Sequence, residues 1–355
     1  MKWQLVPAAR FPEFAERWRA LHARGPASVL LDADFVAPLL ECFARPGALL
    51  ACCESQGVTL AMALVAPSGR GAWATLQPSQ APLGLWLMAP DQALAPLLAG
   101  LLRALPGLPL VLGLTQADPM LLARPPDSPR LRTLDYIDTA RVMLAGGFDA
   151  YWQARGKNLR ANLKKQRARL ERDGVTPRLE IVRAPAAMAA AVAQYGLLES
   201  SGWKCAQGTA VHADNAQGRY YRDMLEALSA RGAASVYRYW FGEQLVAMDL
   251  CVEDSDSIVV LKTAYDESVG AGLSPTLLMR EEACRRLFDE GRFSRLEFYG
   301  RVMEWHLRWT GEVRTMYHIN YYRWPAVRRL QAMLESIRDS RRASGGAVNG
   351  AIHVS

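Results

Sequence analysis

The stretch from Ser257 to Tyr322 constrains the fold more than any other part of the chain. Its apolar run from Ile258 to Leu261 is typical of a buried strand. A glycine-bearing loop follows, and Ser274 before Pro275 is typical of a helix start, with a hydroxyl at the N-cap and proline at the first helical position. The pattern therefore predicts a strand, a glycine loop and a helix in that order.

This order leaves several backbone N–H groups without intrahelical partners, and the positive end of the helix dipole lies behind them. A site of this kind binds phosphate. The alternative is that Gly270 and Gly272 only close a tight turn before the helix. The predicted helix ends at Gly291 and divides into an apolar side (Leu277, Cys284, Leu287 and Phe288) and a charged side (Glu281, Glu282, Arg285, Arg286 and Asp289).

The positive charge of the chain is concentrated in one segment. The 355 residues carry a formal net charge of +7. Residues 155–173 hold eight basic residues against Glu171 and Asp173, so that this segment supplies six of the seven charges. We expect a cationic helix over Phe148 to Arg172, with an apolar stripe of Leu159, Leu163 and Leu170. It either is a solvated helix between two halves or faces an anionic ligand or surface.

Other features limit the class of protein. Half of the residues are apolar, which is enough for a large core, and there is no uninterrupted apolar run of the length that spans a bilayer. The first residues lack the apolar stretch of a secretion signal, so we expect a cytoplasmic protein. The six cysteines and five histidines show no metal-ligand spacing, which predicts no metal site. No DNA-binding module is recognisable, and DNA is not an expected partner.

Helical and strand-like stretches alternate along the chain, which predicts a mixed α/β fold. Residues 180–322 follow the order helix, helix, hairpin, strand, glycine loop, helix, strand, strand. This order resembles the GCN5-related N-acetyltransferase (GNAT) fold. More narrowly, residues 148–322 resemble the CelD-like acetyltransferases associated with cellulose biosynthesis proteins, which are related to the FemAB aminoacyltransferases. The matching segments are Asn158-Leu159-Arg160, Asn162-Leu163-Lys164-Lys165, Ser201-Gly202-Trp203-Lys204, Gly208-Thr209, Tyr265-Asp266, Ser274-Pro275, the strand end from Glu297 to Gly300, and Trp309.

The resemblance implies two tandem GNAT-like halves, each a mixed, mostly antiparallel sheet flanked by helices. Residues 1–147 would form a degenerate half, residues 148–330 the acyltransferase half with the cationic helix 155–172, and residues 331–355 a C-terminal helix and a disordered tail. The implied donor is acetyl-CoA or another acyl-CoA, or else an aminoacyl-tRNA. The family's Arg/Gln-x-x-Gly-x-Gly/Ala motif is only approximated by residues 268–273, which lack the leading Arg or Gln.

Candidate site residues follow from the loop and from the chemistry of acyl transfer, which needs a base to deprotonate the acceptor. For the donor they are Val269, Gly270, Ala271, Gly272, Leu273 and Ser274. For catalysis Glu304 comes first, followed by Glu297, Asp249, His306 and His318, with Tyr265 as a donor to the leaving thiolate. For the acceptor they are Trp203, Lys204, Trp305 and His306. The alternatives are that Glu297 only orients a neighbour, that Asp249 is a paired strand carboxylate and that Tyr265 and Trp203 are core residues.

Three functions are consistent with these features. The first is an acyl-CoA-dependent N- or O-acyltransferase acting on a cell-envelope or polysaccharide-related molecule. The second is a non-catalytic scaffold of an envelope synthesis system that keeps the fold but has lost donor binding. The third is a FemAB-like aminoacyl-tRNA-dependent transferase, with helix 155–172 facing the RNA.

Overall fold

The computed structural model describes residues 1–26, 28–200, 211–212 and 214–346. In this part of the chain thirteen strands form one mixed sheet. The strands are β1 (Lys2–Pro7), β2 (Leu49–Ser55), β3 (Val58–Gly69), β4 (Ala72–Thr75), β5 (Trp86–Met88), β6 (Val111–Ala117), β7 (Leu131–Met143), β8 (Pro177–Val182), β9 (Ala234–Phe241), β10 (Gln244–Glu253), β11 (Ser257–Tyr265), β12 (Arg295–Phe298) and β13 (Val313–Tyr322).

The same residues form ten α-helices. They are α1 (Phe11–His22), α2 (Ala33–Phe43), α3 (Leu94–Ala104), α4 (Phe148–Gln153), α5 (Lys157–Arg172), α6 (Met188–Ser200), α7 (Ala216–Ser229), α8 (Pro275–Glu290), α9 (Glu304–Leu307) and α10 (Pro325–Gly346). Within the described residues no helix combines the length and the apolarity needed to cross a membrane.

The two halves of the chain repeat one order of elements. Strand β1, helices α1 and α2, the antiparallel strands β2 to β4, helix α3 and strand β6 are matched by β8, α6 and α7, β9 to β11, α8 and β12. In each half the fourth and fifth of these strands are parallel neighbours: β4 pairs with β6, and β11 pairs with β12. The order of elements predicted for residues 180–322 is confirmed, and the N-terminal half repeats it.

The halves are joined through their last strands. The sheet order is β1-β2-β3-β4-β6-β13-β7-β12-β11-β10-β9-β8, with β5 beside β3. Strand β13, the last of the second half, therefore lies against β6 of the first half, and β7, the last of the first half, lies against β12 of the second. Because each half supplies a central strand to the other, the sheet is continuous across residue 147, and the predicted domain boundaries stay predictions.

Helices cover both faces of the sheet. On one face α1 and α2 of the first half pack with α6 and α7 of the second in a shared apolar core, which contains Trp18, Phe35, Tyr195 and Tyr220. The opposite face carries α3 over the first half and α4, α5 and α8 over the second. We call these the α7 face and the α8 face.

Two details of the prediction are wrong. The segment from Phe148 to Arg172 is not one helix, because Gly156 has an extended backbone (ψ 135°) and separates α4 from α5. Glu281 was expected on the exposed side of α8 but is buried, because Arg167 of α5 donates hydrogen bonds to its carboxylate, including one of 2.9 Å from Nη2. The stripe of Leu159, Leu163 and Leu170 is buried as predicted. The residues expected in a disordered tail extend beyond Gly346, outside the described residues.

Candidate active site

The loop between β11 and α8 has the predicted geometry of a strand, a glycine turn and a helix start. Asp266 begins the loop and accepts hydrogen bonds from the amide and hydroxyl of Ser268, at 2.8 and 2.6 Å. Gly272 has a φ of +89°, which favours glycine. Ser274 is the N-cap residue and Pro275 is the first helical residue, but the Ser274 side chain makes no capping hydrogen bond.

The amides of this loop divide into two groups. The Leu273 amide donates to the carbonyl oxygen of Gly270 (3.3 Å), and the Ser274 amide donates to Oε1 of Gln166 on α5 (2.7 Å). In the described part of the chain, the amides of Gly270, Ala271 and Gly272 have no hydrogen-bond partner. The loop therefore offers three backbone donors to an anion, and a glutamine side chain caps the helix behind them.

Helix α5 also supplies a cation to the loop. Nη1 of Arg169 donates a hydrogen bond of 2.6 Å to the carbonyl oxygen of Ala271. A Cβ atom added to Gly272 would lie 3.2 Å from the same nitrogen. Arg169, 102 positions before Ala271 in the chain, thus brings a basic side chain to the 268–273 run, which has none of its own.

Arg169 and Gln166 are functional candidates that the sequence analysis missed. The sequence contains one signal for Gln166: it stands on the apolar stripe of α5, three residues after Leu163 and four before Leu170, and it is buried. A polar side chain at such a position needs a partner. The sequence does not indicate that the partner is the start of α8, because that contact depends on how α5 packs.

Strands β11 and β12 diverge near the loop. Their parallel pairing covers only residues 257–260 and 295–298, whereas β11 continues to Tyr265. At the divergence lies a cleft of about 450 Å³, which we call the strand cleft. Both halves of the chain line it, with residues 77–82, Gln116, Tyr136, Ile137, Tyr221, residues 260–262 and residues 299–301.

The strand cleft is polar and carries positive charge. Lys262 and Arg301 line it. Lys262 lies 3.6 Å from the carboxylate of Glu199, which is buried on α6 and also accepts the amide of Val211 at 2.7 Å. Because Tyr221 belongs to α7, the cleft opens on the α7 face. Amide side chains and tyrosines complete the lining, which suits a hydrogen-bonding acceptor with negative charge.

A buried ion-pair network lies beneath the strand cleft. Arg314 of β13 contacts Asp118 at 2.8 Å and Glu297 at 2.7 Å, and Glu297 also contacts Arg295 at 3.1 Å. The Tyr299 hydroxyl, on a residue that lines the cleft, donates to Asp118 at 2.9 Å. Burial raises the pKa of Glu297, and the Arg314 guanidinium opposes that shift. Glu297 thus has the contacts expected of an orienting residue.

His318 lies beside the strand cleft. Its ring is 4.6 Å from that of Tyr136, and its Nδ1 accepts the amide hydrogen of Gln116 at 3.0 Å. Burial lowers the pKa of His318, which favours the neutral ring. Because Nδ1 is an acceptor here, the proton of the neutral ring is on Nε2. His318 can therefore donate a hydrogen bond from Nε2 but has no unused nitrogen lone pair with which to act as a base.

Gln116 is another functional candidate, and it is marked by its backbone conformation rather than by a sequence motif. Its φ of +45° is unusual for a residue other than glycine, and such strain is concentrated at functional sites. The strained backbone directs its amide to His318, and Gln116 lines the strand cleft. Nothing in the local sequence indicates this conformation.

Glu304, Trp305 and His306 lie on α9. Glu304 lines a depression of about 420 Å³ together with Asn158 and Asn162 of α5, and because α5 packs on the α8 face this depression opens on the side opposite Tyr221. The Glu304 side chain is 90% exposed and lies 3.8 Å from Arg308.

The two aromatic neighbours of Glu304 differ from each other. Trp305 is partly exposed, whereas His306 is buried and its Nδ1 accepts the amide of Met303 at 2.9 Å. Burial lowers the pKa of His306 to about 4. The ring of His306 therefore stabilises the start of α9, and only Trp305 presents a surface to a ligand.

The remaining predicted site residues lie at the end of a strand, in a buried ion pair or outside the described residues. Tyr265 ends β11 just before the loop and is 45% exposed, so it is not a core residue. Asp249 is buried and paired with Arg280 of α8 at 2.8 Å, which is the paired carboxylate foreseen as an alternative. Trp203 and Lys204 lie outside the described residues.

A family model matches the second half of the chain. It is described as "Acetyltransferase (GNAT) domain" and covers residues 157–311, which include the loop, both diverging strands and α9. The fold of this stretch is therefore that of the GNAT acyltransferases, and the predicted fold class is confirmed. The narrower resemblance to the CelD-like group stays a prediction. Comparison with curated protein sequences found no match.

Solved structures share the fold over nearly the whole chain. FemX is similar with a TM-score of 0.57 and 9% identity, over 91% of this chain and 97% of that one. The DUF2156 C-terminal domain assigned to a lysylphosphatidylglycerol synthetase of Agrobacterium fabrum has a TM-score of 0.56 and 14% identity, over 92% and 96%. A Bacteroides thetaiotaomicron protein of unknown function has a TM-score of 0.52 and 10% identity, over 87% and 97%. At these identities the likeness concerns the fold alone.

Proposed function

We propose that this protein is an acyl-CoA-dependent N- or O-acyltransferase. It would transfer an acetyl or other acyl group from CoA to a cell-envelope or polysaccharide-related acceptor molecule. One observation carries the proposal: the unpartnered amides of Gly270, Ala271 and Gly272 lie beside Arg169 at the start of α8. Backbone donors, a guanidinium and a helix dipole at one place suit a diphosphate.

The donor would lie along the opening between β11 and β12. Its pyrophosphate would contact the loop, with Val269, Leu273 and Ser274 forming the surrounding wall. Its pantetheine amides would meet backbone groups of β11 from Leu261 to Tyr265, which pair with β10 on one side but have no partner on the β12 side. The thioester would then point toward the strand cleft, where residues of both halves meet.

The acceptor would enter the strand cleft from the α7 face. Lys262 and Arg301 would hold its negative charge, and Tyr136 and Gln116 would hydrogen-bond its polar groups. In the reaction an acceptor nitrogen or oxygen forms the new bond to the acyl carbon while the carbon–sulfur bond breaks. A base removes the acceptor proton and the thiolate of CoA is protonated. The predicted base Glu304 lies on the opposite, α8 face and does not reach this acceptor. Tyr265 is the proposed proton donor, and Glu297 and His318 orient their neighbours.

Support for a cell-envelope acceptor comes from the fold. Its similarity to FemX and to a domain assigned to a lysylphosphatidylglycerol synthetase supports a transferase that modifies envelope components. The cationic lining of the strand cleft agrees with an acceptor that carries phosphate or carboxylate groups.

The decisive experiment is calorimetric titration of the full chain with CoA, acetyl-CoA and a non-hydrolysable longer acyl-CoA. We expect binding of at least one of them in the micromolar range, typical of a substrate. An Arg169→Ala variant should lose most of that affinity, whereas Arg172→Ala, on the same helix and 72% exposed, should keep it. Absence of heat with all three ligands would exclude this function and leave the scaffold and aminoacyl-tRNA alternatives.

A second candidate donor is aminoacyl-tRNA. The observation that favours it is a surface groove of about 700 Å³ on α5, lined by Lys157, Arg160 and Lys164. Such a row of cations suits a nucleic-acid backbone. Binding of tRNA that weakens steeply with salt, together with no binding of any CoA, would select this alternative.

A further inference from the structure

Helix α10 has its apolar side turned to solvent, which is the reverse of the usual arrangement for a surface helix. Leu330, Met333 and Leu334 follow the spacing of one helical face and are 58%, 62% and 57% exposed. Trp324, just before the helix, is 47% exposed. We call these four residues the α10 stripe.

The side of α10 that contacts the protein is polar. Arg328 donates to the carboxylate of Asp127 at 2.8 Å, and Glu335 accepts from Arg132 of β7 at 2.6 Å. Gln331, between them on the same face, donates to Glu335 at 3.0 Å. The ion pairs fix the orientation of the helix, so the α10 stripe is held away from the body of the protein.

The charges of α10 indicate the chemistry of the surface that the stripe would contact. The sequence of α10 contains five arginines against Glu335 and Asp339. Glu335 is paired with Arg132, whereas Arg329 is exposed beside the stripe. An apolar stripe bordered by arginine, with a tryptophan at one end, is the composition of helices that lie in the headgroup region of a bilayer and prefer anionic lipids.

We propose that α10 binds the surface of an anionic lipid bilayer, with the α10 stripe inserted at the boundary between headgroups and acyl chains and Arg329 against lipid phosphates. A protein partner or a second copy would also cover apolar area, but the net positive charge of this helix disfavours pairing two copies through it. The inference is independent of donor binding, because α10 contributes no residue to the loop or the strand cleft.

Co-sedimentation of the full chain with vesicles tests this proposal. We expect binding to vesicles of phosphatidylcholine with 30% phosphatidylglycerol and at least tenfold weaker binding to phosphatidylcholine alone. The triple variant Leu330→Ser, Met333→Ser, Leu334→Ser should reduce the binding to anionic vesicles at least tenfold. Val58→Ser, at a residue that begins β3 and is 47% exposed, is the matched control and should bind as the parent chain does.

A charge reversal provides the second variant. Arg329→Glu should weaken binding to anionic vesicles at least tenfold, whereas Arg286→Glu, at an α8 residue with a side chain that is 62% exposed, should not. Circular dichroism and CoA titration report whether each variant is folded and still binds donor. Equal binding of the parent chain and the triple variant to anionic vesicles would overturn the proposal. A dimer in sedimentation equilibrium that the triple variant abolishes would also overturn it, since the stripe would then be a protein interface.

Discussion

Arg169 of α5 is hydrogen-bonded to the carbonyl oxygen of Ala271, at 2.6 Å. The Ala271–Gly272 peptide is trans, so a carbonyl directed at Arg169 leaves the Gly272 amide of the same peptide unit directed to the opposite side. The same contact places a positive charge beside three amides that have no partner in the described part of the chain. One side chain thus both shapes the loop and adds to its attraction for anions.

Replacement of Arg169 by alanine should weaken CoA binding about tenfold, because a hydrogen bond to a charged group is worth about 1.5–3 kcal/mol. Arg169→Lys should recover only part of the affinity, since lysine keeps the charge but lacks the planar fork. The measurement is the dissociation constant for CoA by calorimetry. An unchanged constant in Arg169→Ala would show that the pyrophosphate does not bind at this loop.

Replacement of Gly272 by valine should weaken donor binding by more than tenfold. A β-branched residue is strained at a φ of +89°, and its Cβ would lie 3.2 Å from Nη1 of Arg169. Gly291→Val is the matched control: Gly291 also has a positive φ, of +59°, but nothing lies within 4 Å of its added Cβ. Both variants should lose thermal stability, and only Gly272→Val should lose CoA affinity. Equal affinities of the two variants for CoA would show that Gly272 takes no part in donor binding.

Much of the fold could be predicted from the sequence because each helix or strand shows the residue pattern of its type within its own short segment. The strand, loop and helix at residues 257–290 are an example, since β-branched residues, two glycines and Ser-Pro occur in the order that the backbone requires. The exchange of β7 and β13 between the halves could not be predicted. Both have the pattern of ordinary strands, and their neighbours are decided by contacts between residues 152–211 positions apart.

The site could be predicted only in its local part. Gly270 and Gly272 belong to the loop itself, whereas Arg169 and Gln166 reach it from α5 and carry no motif. Residues of the strand cleft, such as Gln116 and Lys262, come from different halves of the chain and meet only in the continuous sheet. The place of Gln166 on the apolar stripe of α5 indicates that it is buried, but its partner is decided by helix packing, which the local sequence does not record.

Glu304→Gln should change neither kcat nor KM, because Glu304 lines the depression on the α8 face, opposite the strand cleft in which the acceptor would bind. The matched control is Glu312→Gln, an exposed carboxylate 3.7 Å from Arg141 on the opposite flank of the α9 turn. Steady-state kinetics with acetyl-CoA and a responsive acceptor give both constants. A fall in kcat of about a hundredfold or more with KM unchanged would instead make Glu304 the base and place the acceptor on the α8 face.

Stability should fall as the pH is lowered through the range in which His306 is kept neutral. Burial lowers the pKa of His306 from its ordinary value of 6.5 to about 4. Between these values the unfolded chain binds a proton at this residue and the folded chain does not, so acid favours unfolding. The loss between pH 7 and pH 4.5 should be smaller in His306→Gln than in the parent chain. Urea denaturation at both pH values provides the measurement, with the exposed His212→Gln as control.

Asp249 and Arg280 form a buried pair at 2.8 Å, and Thr263 donates a further hydrogen bond of 2.5 Å to the same carboxylate. Asp249→Asn should destabilise the protein by about 3 kcal/mol, because it leaves the Arg280 charge buried without its counter-ion. The double variant Asp249→Leu, Arg280→Met should recover most of that loss, since an apolar pair of similar volume has no charge to desolvate. Urea denaturation measures the stability of both variants. The acetyl-transfer activity of the double variant then shows whether Asp249 acts only in the structure or also in the reaction. If the double variant is stable and active, Asp249 has no catalytic role; if it is stable but inactive, the carboxylate takes part in the reaction and the structural assignment is wrong.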